Sequence, residues 1–392
     1  MRRVLMPVAW AVAAVAILAA AVAATRSSGG EAQGPQAIAG AATQVPAPPA
    51  ATAPPVAPWN PDDVDAAARD LPRLHSLLVS HRGELIFERY YNGARRDRPA
   101  NVKSASKSII STLVGIAIDR RLIPGVAAPI VQYFPELAQD PDSRKREITV
   151  EHLLTMRPGL EGTSNRNYGA WVTSRNWVRH ALARPMFAAP GEEMEYSTGN
   201  THLLSAILTK ASGGSTWQFA NDTLARPLGF TLPQWPRDPQ GIYFGGNDML
   251  LTPRQMVAYG ELYLHQGRAN GQQIVADNWV ERSCEGRPRN RRPGGPGFNP
   301  NGGFVDPLRD REYGFGWWVY EIRGYDTCFA WGYGGQYIFV MPQLDLVMVT
   351  TSSPDVSEER RGHRRTLFDI LDELVVAPAG GGKMSPAGTV TN

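Results

Sequence analysis

The sequence predicts an α+β domain in which an antiparallel sheet is flanked by helices and interrupted by an inserted, mostly helical region. Two observations support this class. Strand-like segments lie near both ends of the folded part of the chain, at 74–93 and 313–352. Between them, from about residue 124 to residue 310, Pro, Gly and short helical segments dominate. We therefore expect strands from distant parts of the chain to form one sheet, with the first long helix packed on it.

The individual elements follow from their residue patterns. Residues 74–93 alternate in polarity and are broken by Arg82-Gly83, which indicates a β-hairpin. The first long helix begins near Ser104, because apolar residues recur at helical spacing from 109 to 117, and it ends before Pro124-Gly125. The other predicted elements are helical segments at 149–154, 200–214 and 252–267, strands at 313–322, 327–342 and 344–352, and a final helix at 357–376.

The N-terminal segment 1–24 is predicted to direct export. Two arginines follow the initial Met, and residues 4–24 form an unbroken apolar run that ends in small residues, as in a signal peptide. The run is also long enough to span a bilayer uncleaved, so a signal peptide and an N-terminal membrane anchor both stay open. In either case we expect the domain to lie in the periplasm or another extracytoplasmic space, attached to the inner membrane if the segment is retained.

Composition delimits the folded domain. Residues 25–58 are rich in Ala, Pro and Gly and almost uncharged, which is typical of a flexible linker. The folded domain is predicted at 59–377, and the tail 378–392 is predicted to be disordered. The formal net charge of +3 gives no basic field that would indicate a nucleic-acid partner.

Cysteine and histidine usage indicates no metal site. Cys and His residues do not follow a zinc-binding spacing, and we predict neither a metal nor another cofactor. The two cysteines, Cys284 and Cys328, leave a disulfide and two free thiols equally open. His152, His202 and His363 lie in helical patterns and are interpreted as structural or surface residues.

A serine and a lysine stand three residues apart where the first long helix begins. Residues i and i+3 share one helix face, so Ser104 and Lys107 can touch. A serine hydroxyl becomes a good nucleophile when a neighbouring base takes its proton, and an amine serves as that base when burial lowers its pKa. The alternative interpretation is a capping serine beside a solvated lysine. The S-x-x-K pattern alone does not decide between them.

Two further stretches carry candidate catalytic groups. In "PGEEMEYSTGN" (190–200), Tyr196 stands at a loop-to-helix junction, where a phenol next to a lysine ammonium could relay protons to a leaving group. In "WGYGGQYIFVMP" (331–342), glycines open a predicted strand, and a backbone N–H there could stabilise an oxyanion together with the Ser104 N–H. The alternatives are a core tyrosine and a β-bulge.

These motifs together resemble one known superfamily. "SASKSI" and "ITVEHLLTMRPGL" (148–160) are similar to the nucleophile helix, and the segment after it, of serine β-lactamases and penicillin-binding proteins. "PGEEMEYSTGN" resembles the Y-x-N element, 245–283 resembles a long helical signature, and "WGYGGQ" occupies the place of K-T-G. Within this superfamily the motifs resemble the class C β-lactamase-related branch, which includes esterases and 6-aminohexanoate-oligomer hydrolases. The resemblance extends over about residues 75–375.

The resemblance implies a β-lactamase/transpeptidase-like fold and a role for each matching residue. Ser104 would be the acylated nucleophile, and Lys107 the base or proton carrier. Tyr196 would act on the leaving group and on the deacylating water. The backbone N–H groups of Ser104 and Gly334 would form the oxyanion hole, with Gly335 as the alternative. The reaction would need neither a metal nor another cofactor.

Two departures from the family pattern bear on the substrate. Thr198 stands where Y-x-N has asparagine, and Asn200, two residues later, is a candidate to contact substrate in its stead. Trp331 or Gly332 stands where K-T-G has a cation. Tryptophan cannot form the ion pair by which that cation recognises the carboxylate of β-lactams. An ester or a small linear amide is therefore the favoured small-molecule substrate, and Trp331 resembles the esterase members.

Other residues are predicted to line the cleft. Tyr168 and Trp171 lie on a Gly/Asn/Ser-rich loop, in a region that lines the substrate site in the family, and a simple packing role is the alternative for both. Tyr333 follows the Trp331-Gly332 pair and is a further substrate-binding candidate. The arginine-rich stretch 287–303 is either a solvated loop or an anion-attracting rim that partly replaces the missing cation.

Three functions are consistent with these residues. The leading one is an exported serine hydrolase that acts on esters or small amides. The second is a cell-wall enzyme, such as a D-Ala-D-Ala carboxypeptidase or a β-lactamase. The third is a non-catalytic module that binds wall fragments. The presence of all three candidate catalytic side chains argues against the third.

Overall fold

A seven-stranded antiparallel sheet joins the two ends of the folded region, which confirms the predicted α+β class. The computed structural model describes residues 58–288, 311–357 and 360–381. The strands are β1 (Leu74–His81), β2 (Glu84–Tyr90), β3 (Glu312–Tyr313), β4 (Trp318–Ile322), β5 (Tyr325–Gly332), β6 (Gln336–Met341) and β7 (Leu346–Ser352). Their order across the sheet is β2-β1-β7-β6-β5-β4-β3, so the N-terminal hairpin pairs with the last strand.

The helices lie mostly between β2 and β3, as the sequence predicted. They are α1 (Pro61–Arg69), α2 (Ser106–Asp119), α3 (Val150–Leu154), α4 (Tyr168–Val172), α5 (Trp177–Leu182), α6 (Thr198–Ser212), α7 (Thr216–Ala220), α8 (Pro253–Leu264), α9 (Asp277–Cys284), α10 (Arg360–Asp369) and α11 (Ala377–Gly381). A short 3₁₀ turn, Lys103–Ala105, precedes α2, and a π-helical segment, Ile370–Val376, joins α10 to α11.

The single strand predicted at 327–342 is two strands joined by a turn, so that prediction is wrong. β5 ends at Gly332 and β6 begins at Gln336, and these two residues are paired across the hairpin. Gly334 and Gly335 have φ angles of 97° and 117°. Residues with a Cβ rarely adopt such angles, so the glycines allow the chain to reverse where the sequence pattern indicated a continuous strand.

Each face of the sheet is covered by helices. Side chains alternate along β6, so that Ile338 and Val340 pack with α2 and α8, whereas Phe339 and Met341 pack with α1 and the C-terminal helices. A Cβ at Gly260 of α8 would lie 2.6 Å from a Val347 methyl, so glycine lets this helix approach the sheet closely. The sheet is therefore buried on both sides, which gives the site beside it a rigid support.

The C-terminal boundary predicted at residue 377 is too early. The chain remains helical to Gly381, and Pro378 and Ala379 are buried against the sheet layer. The predicted export segment, the linker up to residue 57, the tail beyond 381 and most of the arginine-rich stretch lie outside the described residues.

Cys284 at the end of α9 and Cys328 in β5 form a disulfide, with their Cα atoms 5.5 Å apart. It links the helical region to the sheet. This bond decides between the two alternatives that the cysteine count left open. Within the described ranges, every helix is too short or too polar to cross a bilayer.

Candidate active site

Ser104 lies in the 3₁₀ turn just before α2, and local contacts fix that turn. Lys103 adopts a φ of 50°, and its N–H donates to Asn101 Oδ1 at 2.9 Å. Asp248 accepts hydrogen bonds from both the Asn101 amide and the Lys103 ammonium. Ser106 Oγ donates to the Lys103 carbonyl at 2.6 Å. The nucleophile candidate is thus held at the N-terminus of a helix, where backbone N–H groups favour developing negative charge.

Lys107 is one helical turn away and is almost completely buried, with 1% of its surface exposed. Its Nζ lies 3.1 Å from Ser104 Oγ and donates to the Gly246 carbonyl at 2.6 Å. This geometry excludes the alternative of a solvated lysine at the helix rim. It also leaves the amine positioned to interact with the serine hydroxyl.

Burial lowers the pKa of Lys107 from 10.5 to about 7, and the nearby Asp248 carboxylate opposes this only in part. Above neutral pH the amine is therefore uncharged and has a lone pair. The hydrogen bond from Lys107 Nζ to the Gly246 carbonyl directs one N–H away from Ser104, so the lone pair is available to take the serine proton. The sequence did not reveal that the Gly246 carbonyl is a hydrogen-bond partner of Lys107, because Gly246 lies about 140 residues downstream.

Two glycines allow that carbonyl to approach Lys107. A Cβ at Gly246 would lie 2.3 Å from Thr201 Oγ1 and 3.2 Å from Lys107 Nζ. A Cβ at Gly245 would lie 2.1 Å from the Thr201 carbonyl. The loop can therefore pass between the start of α6 and the buried amine only where side chains are absent.

The structure brings Tyr196 to the same pair. Its ring centroid lies 5.0 Å from Lys107 Nζ, and the Ser104 hydroxyl is near enough to its phenol to affect the phenol's pKa. Burial raises the pKa of Tyr196 to about 12, although the interaction with Ser104 and the Arg311 charge both oppose the rise. The sequence analysis placed this phenol next to a lysine ammonium, whereas the lowered pKa of Lys107 favours the neutral amine. At neutral to mildly alkaline pH the structure pairs a neutral amine with a protonated phenol.

The end of β5 borders this cluster. Residues 330–332 extend beyond β4, whose first residue Trp318 pairs with Phe329. Gly332 is pressed against the turn before Ser104, because a Cβ there would lie 2.1 Å from the Val102 carbonyl. The Gly332 carbonyl accepts the Gly335 N–H at 3.3 Å on the β6 side.

The position of the predicted oxyanion glycines differs from the expectation. The N–H of Gly335 is committed to the turn, which contradicts Gly335 as the alternative donor. The Cβ direction of Gly334 faces Ser353 and Pro354. Backbone groups alternate between the two edges of a strand, so those of Trp331, next to the paired Gly332, are directed away from β6. Tyr333 lies in the turn directly after β5 and is a second candidate for the oxyanion donor beside Gly334.

Aromatic rings form one wall beside the cluster. Tyr196 stacks on Trp318 with ring centroids 5.7 Å apart, and Trp331 lies 5.8 Å from Trp318. The Arg311 guanidinium lies 4.7 Å from the Trp318 ring and 5.1 Å from the Trp331 ring. A cation therefore lies over the tryptophan that stands in the K-T-G place. Sequence reasoning missed Arg311, since it precedes that motif by 20 residues.

The remaining substrate-binding predictions have mixed outcomes. The Tyr168 hydroxyl accepts a hydrogen bond from Asn247, beside Gly246, and 38% of Tyr333 is exposed. Trp171 and Asn200 are contradicted as lining residues, because 0% and 3% of their surfaces are exposed. The indole of Trp171 belongs to an aromatic core cluster, and the Asn200 amide donates to the sulfur of a core methionine. In the described part of the chain, His, Cys, Asp and Glu side chains form no group of three that could hold a metal ion.

Comparison with known proteins identifies the family of this chain. The profile of the beta-lactamase family matches residues 75–372. The chain is 26% identical over 338 residues to the 6-aminohexanoate-dimer hydrolase of Paenarthrobacter ureafaciens. The alignment covers 79% of this chain and 82% of that protein.

Two further relatives extend the comparison. The D-alanyl-D-alanine-carboxypeptidase/endopeptidase AmpH of Escherichia coli K12 is 26% identical over 138 residues, covering 34% of this chain and 36% of that protein. The solved structure of EstCE1, a hydrolase with promiscuous acyltransferase activity, has a TM-score of 0.63 at 18% identity, covering 80% of this chain and 98% of that one. This structural likeness concerns the fold.

Proposed function

The chain belongs to the beta-lactamase family of serine hydrolases, and on this premise we propose that it cleaves an ester or a small amide through an acyl-enzyme on Ser104. One observation carries the proposal. A buried amine with a pKa of about 7 lies 3.1 Å from the serine hydroxyl, at the N-terminus of a helix. A buried, neutral lysine beside a serine is the arrangement that nucleophilic activation requires.

In the proposed acylation, the neutral Lys107 amine takes the Ser104 proton while Oγ attacks the substrate carbonyl. The N–H groups of Ser104 and Tyr333 stabilise the oxyanion that forms. Tyr196 keeps its proton until the leaving group departs, and then donates it. Water later attacks the acyl-enzyme carbonyl, and the same groups return the enzyme to its starting protonation state.

The substrate class follows from the wall of the cleft. Trp331 and Tyr196 are half-buried and pack against the buried Trp318, so they offer apolar surface beside the nucleophile that suits an apolar acyl or leaving group. The relative named for 6-aminohexanoate dimers, which are linear amides, and the hydrolase EstCE1 both support an ester or a small linear amide.

We propose further that the domain functions outside the cytoplasm. The Cys284–Cys328 disulfide supports this, because disulfides persist in oxidising compartments. The apolar run at residues 4–24, preceded by two arginines, supports export through a signal peptide or a membrane anchor.

A specific observation favours a second candidate function. The guanidinium of Arg311 lies over Trp331, in the K-T-G place. It would suit a substrate with a carboxylate, such as a peptide ending in D-Ala-D-Ala, and the likeness to AmpH supports this over about a third of the chain. The ester or amide hydrolase remains the preferred function, because Arg311 is buried, with 8% of its surface exposed, and its guanidinium packs on the Trp318 and Trp331 rings.

Intact-mass spectrometry tests the proposal. The protein is exposed separately to a fluorophosphonate, a p-nitrophenyl ester and a penicillin, with Ser104→Ala as the matched control. We expect an adduct from the fluorophosphonate and the ester on the Ser104 peptide, and neither in the variant. Unchanged ester turnover in Ser104→Ala would refute the nucleophile. A stable penicillin adduct would favour the cell-wall candidate.

A further inference from the structure

A buried carboxylate–imidazole pair lies behind the proposed base, outside the groups assigned to the reaction. His202 in α6 and Asp238 both have fully buried side chains, with Nε2 of the imidazole 3.0 Å from Asp238 Oδ2. The ring is enclosed by Trp171, Trp177 and Phe244, with centroids 5.3–6.0 Å away. A buried polar pair in an aromatic cage needs a reason beyond packing, because apolar side chains could fill the same volume.

Both ring nitrogens of His202 bond to the same irregular loop, which runs from Asp238 to Gly246. The second nitrogen, Nδ1, accepts the N–H of Gly245 at 3.4 Å. Because Nδ1 accepts, Nε2 carries the ring proton and donates it to the Asp238 carboxylate. The other oxygen of that carboxylate accepts the N–H groups of Gln240 and Ile242, at 2.8 and 2.9 Å. The pair therefore fixes both ends of the loop.

The residue after Gly245 carries the carbonyl that accepts the Lys107 amine at 2.6 Å. From this chain of contacts we propose that His202, held in its Nε2–H tautomer by Asp238, is a positioning residue that fixes the Gly246 carbonyl on Lys107. This inference rests on the proposed function. Its consequence is that the loop keeps the amine dry and keeps its lone pair directed at Ser104.

The proposal predicts a change in pH dependence rather than a loss of folded protein alone. A displaced loop lets water reach Lys107, so the pKa of the amine rises toward its ordinary value of 10.5. The acid limb of kcat/KM then moves to higher pH. Asp248 and the Tyr196 ring, the other groups that act on or face Lys107, are unchanged by these substitutions.

Two substitutions of His202 separate its two hydrogen bonds. In Gln, the terminal amide nitrogen occupies the place of Nε2, so His202→Gln keeps the Asp238 contact and loses the Gly245 contact. In Asn, the amide oxygen occupies the place of Nδ1, so His202→Asn keeps the Gly245 contact. In Asp238→Asn, the new amide can donate its N–H to Nε2, which favours the tautomer with the ring proton on Nδ1. That Nδ1–H then faces the Gly245 N–H, so two donors meet and the hydrogen bond is lost.

The experiment measures kcat/KM for a p-nitrophenyl ester against pH, below the unfolding temperature of every variant. We expect the acid limb to move up by about one pH unit in His202→Gln and in Asp238→Asn, with about a tenfold loss of activity on that limb. His202→Asn should keep the wild-type midpoint. Tyr263→Phe, which removes a buried hydroxyl bonded to Thr112, is the control for destabilisation alone and should also keep it.

Each outcome decides the inference. If the acid limb of wild type lies near pH 7 and does not move in either His202→Gln or Asp238→Asn, the positioning role is overturned. The proposed function is then left intact. Absence of an acid limb in wild type would instead remove the proposed role of Lys107, and the inference with it. If His202→Gln does not fold, Asp238→Asn decides alone. A ¹⁵N-correlated NMR spectrum of wild type should show the proton on Nε2, and a proton on Nδ1 would contradict the geometry.

Discussion

Replacing Lys107 by methionine is expected to abolish activity and to stabilise the protein at neutral pH. Burial lowers the pKa of this amine from 10.5 to about 7. One pKa unit corresponds to about 1.4 kcal/mol, so the folded state disfavours the protonated amine by about 5 kcal/mol relative to the unfolded chain. Methionine fills a similar volume and does not carry this cost, but it leaves the Gly246 carbonyl without its donor, which costs about 1–3 kcal/mol. The expected net gain at pH 7 is therefore about 1–3 kcal/mol.

The pH dependence of this gain is the sharper test. Because the folded pKa is depressed, the unfolded chain binds more protons between pH 7 and 10.5, and wild-type stability rises with pH in that window. Below pH 7 the full cost applies. The lost carbonyl partner costs the same at every pH, so the advantage of Lys107→Met should shrink by about 3 kcal/mol between pH 7 and about pH 9.5.

Urea unfolding of wild type and Lys107→Met at several pH values measures this difference. Lys145→Met is the matched control, because this second buried lysine has its Nζ 2.9 Å from an Asp140 carboxylate oxygen and should lose stability on substitution. A stability difference between wild type and Lys107→Met that stays constant from neutral to alkaline pH would refute the reasoning. It would mean that the amine is equally basic in the folded and unfolded states.

Three further substitutions test other parts of the site. Tyr196→Phe should lower kcat/KM, which reports acylation, by about 10²–10⁴-fold for alkyl esters and amides, and less for p-nitrophenyl esters, whose leaving group needs no proton. Equal losses for both would contradict its role as the acid. Gly332→Ala should lower kcat by about 10²–10³-fold, because the added Cβ would clash with the Val102 carbonyl and push apart the end of β5 and the turn before Ser104. The control Gly169→Ala should not lower kcat, because the space around Gly169 is open. Cys284→Ser should lower the free energy of unfolding by about 2–4 kcal/mol in urea titrations, and an unchanged value would show that the disulfide does not constrain the chain.

The sequence predicted the parts of the site that depend on local geometry. Ser104 and Lys107 lie three residues apart on one helix, so their contact follows from helical periodicity. The order of strand and helix segments likewise gave the α+β class. Tyr196 could be assigned to the pair only through the family resemblance, since about 90 residues separate it from Lys107.

The errors arose where long-range packing or backbone conformation decides the outcome. Trp171 and Asn200 have the residue types of a binding loop, but both side chains face the core, and burial is not encoded in residue type. The hairpin after Gly332 depends on positive φ angles at two glycines, which a strand pattern does not reveal. Gly246, the hydrogen-bond acceptor of Lys107, belongs to an irregular loop without a sequence signature.

The rate at which a fluorophosphonate labels Ser104, measured against pH by intact mass and peptide mapping, tests the central claim most directly. The proposed mechanism has Ser104 activated by a buried amine, Lys107, with a pKa of about 7. We therefore expect a single adduct on the Ser104 peptide, with a rate that rises through about pH 7 and levels off, and with almost no labelling in Lys107→Met. A rate that keeps rising to pH 10, or an adduct on another residue, would contradict the account.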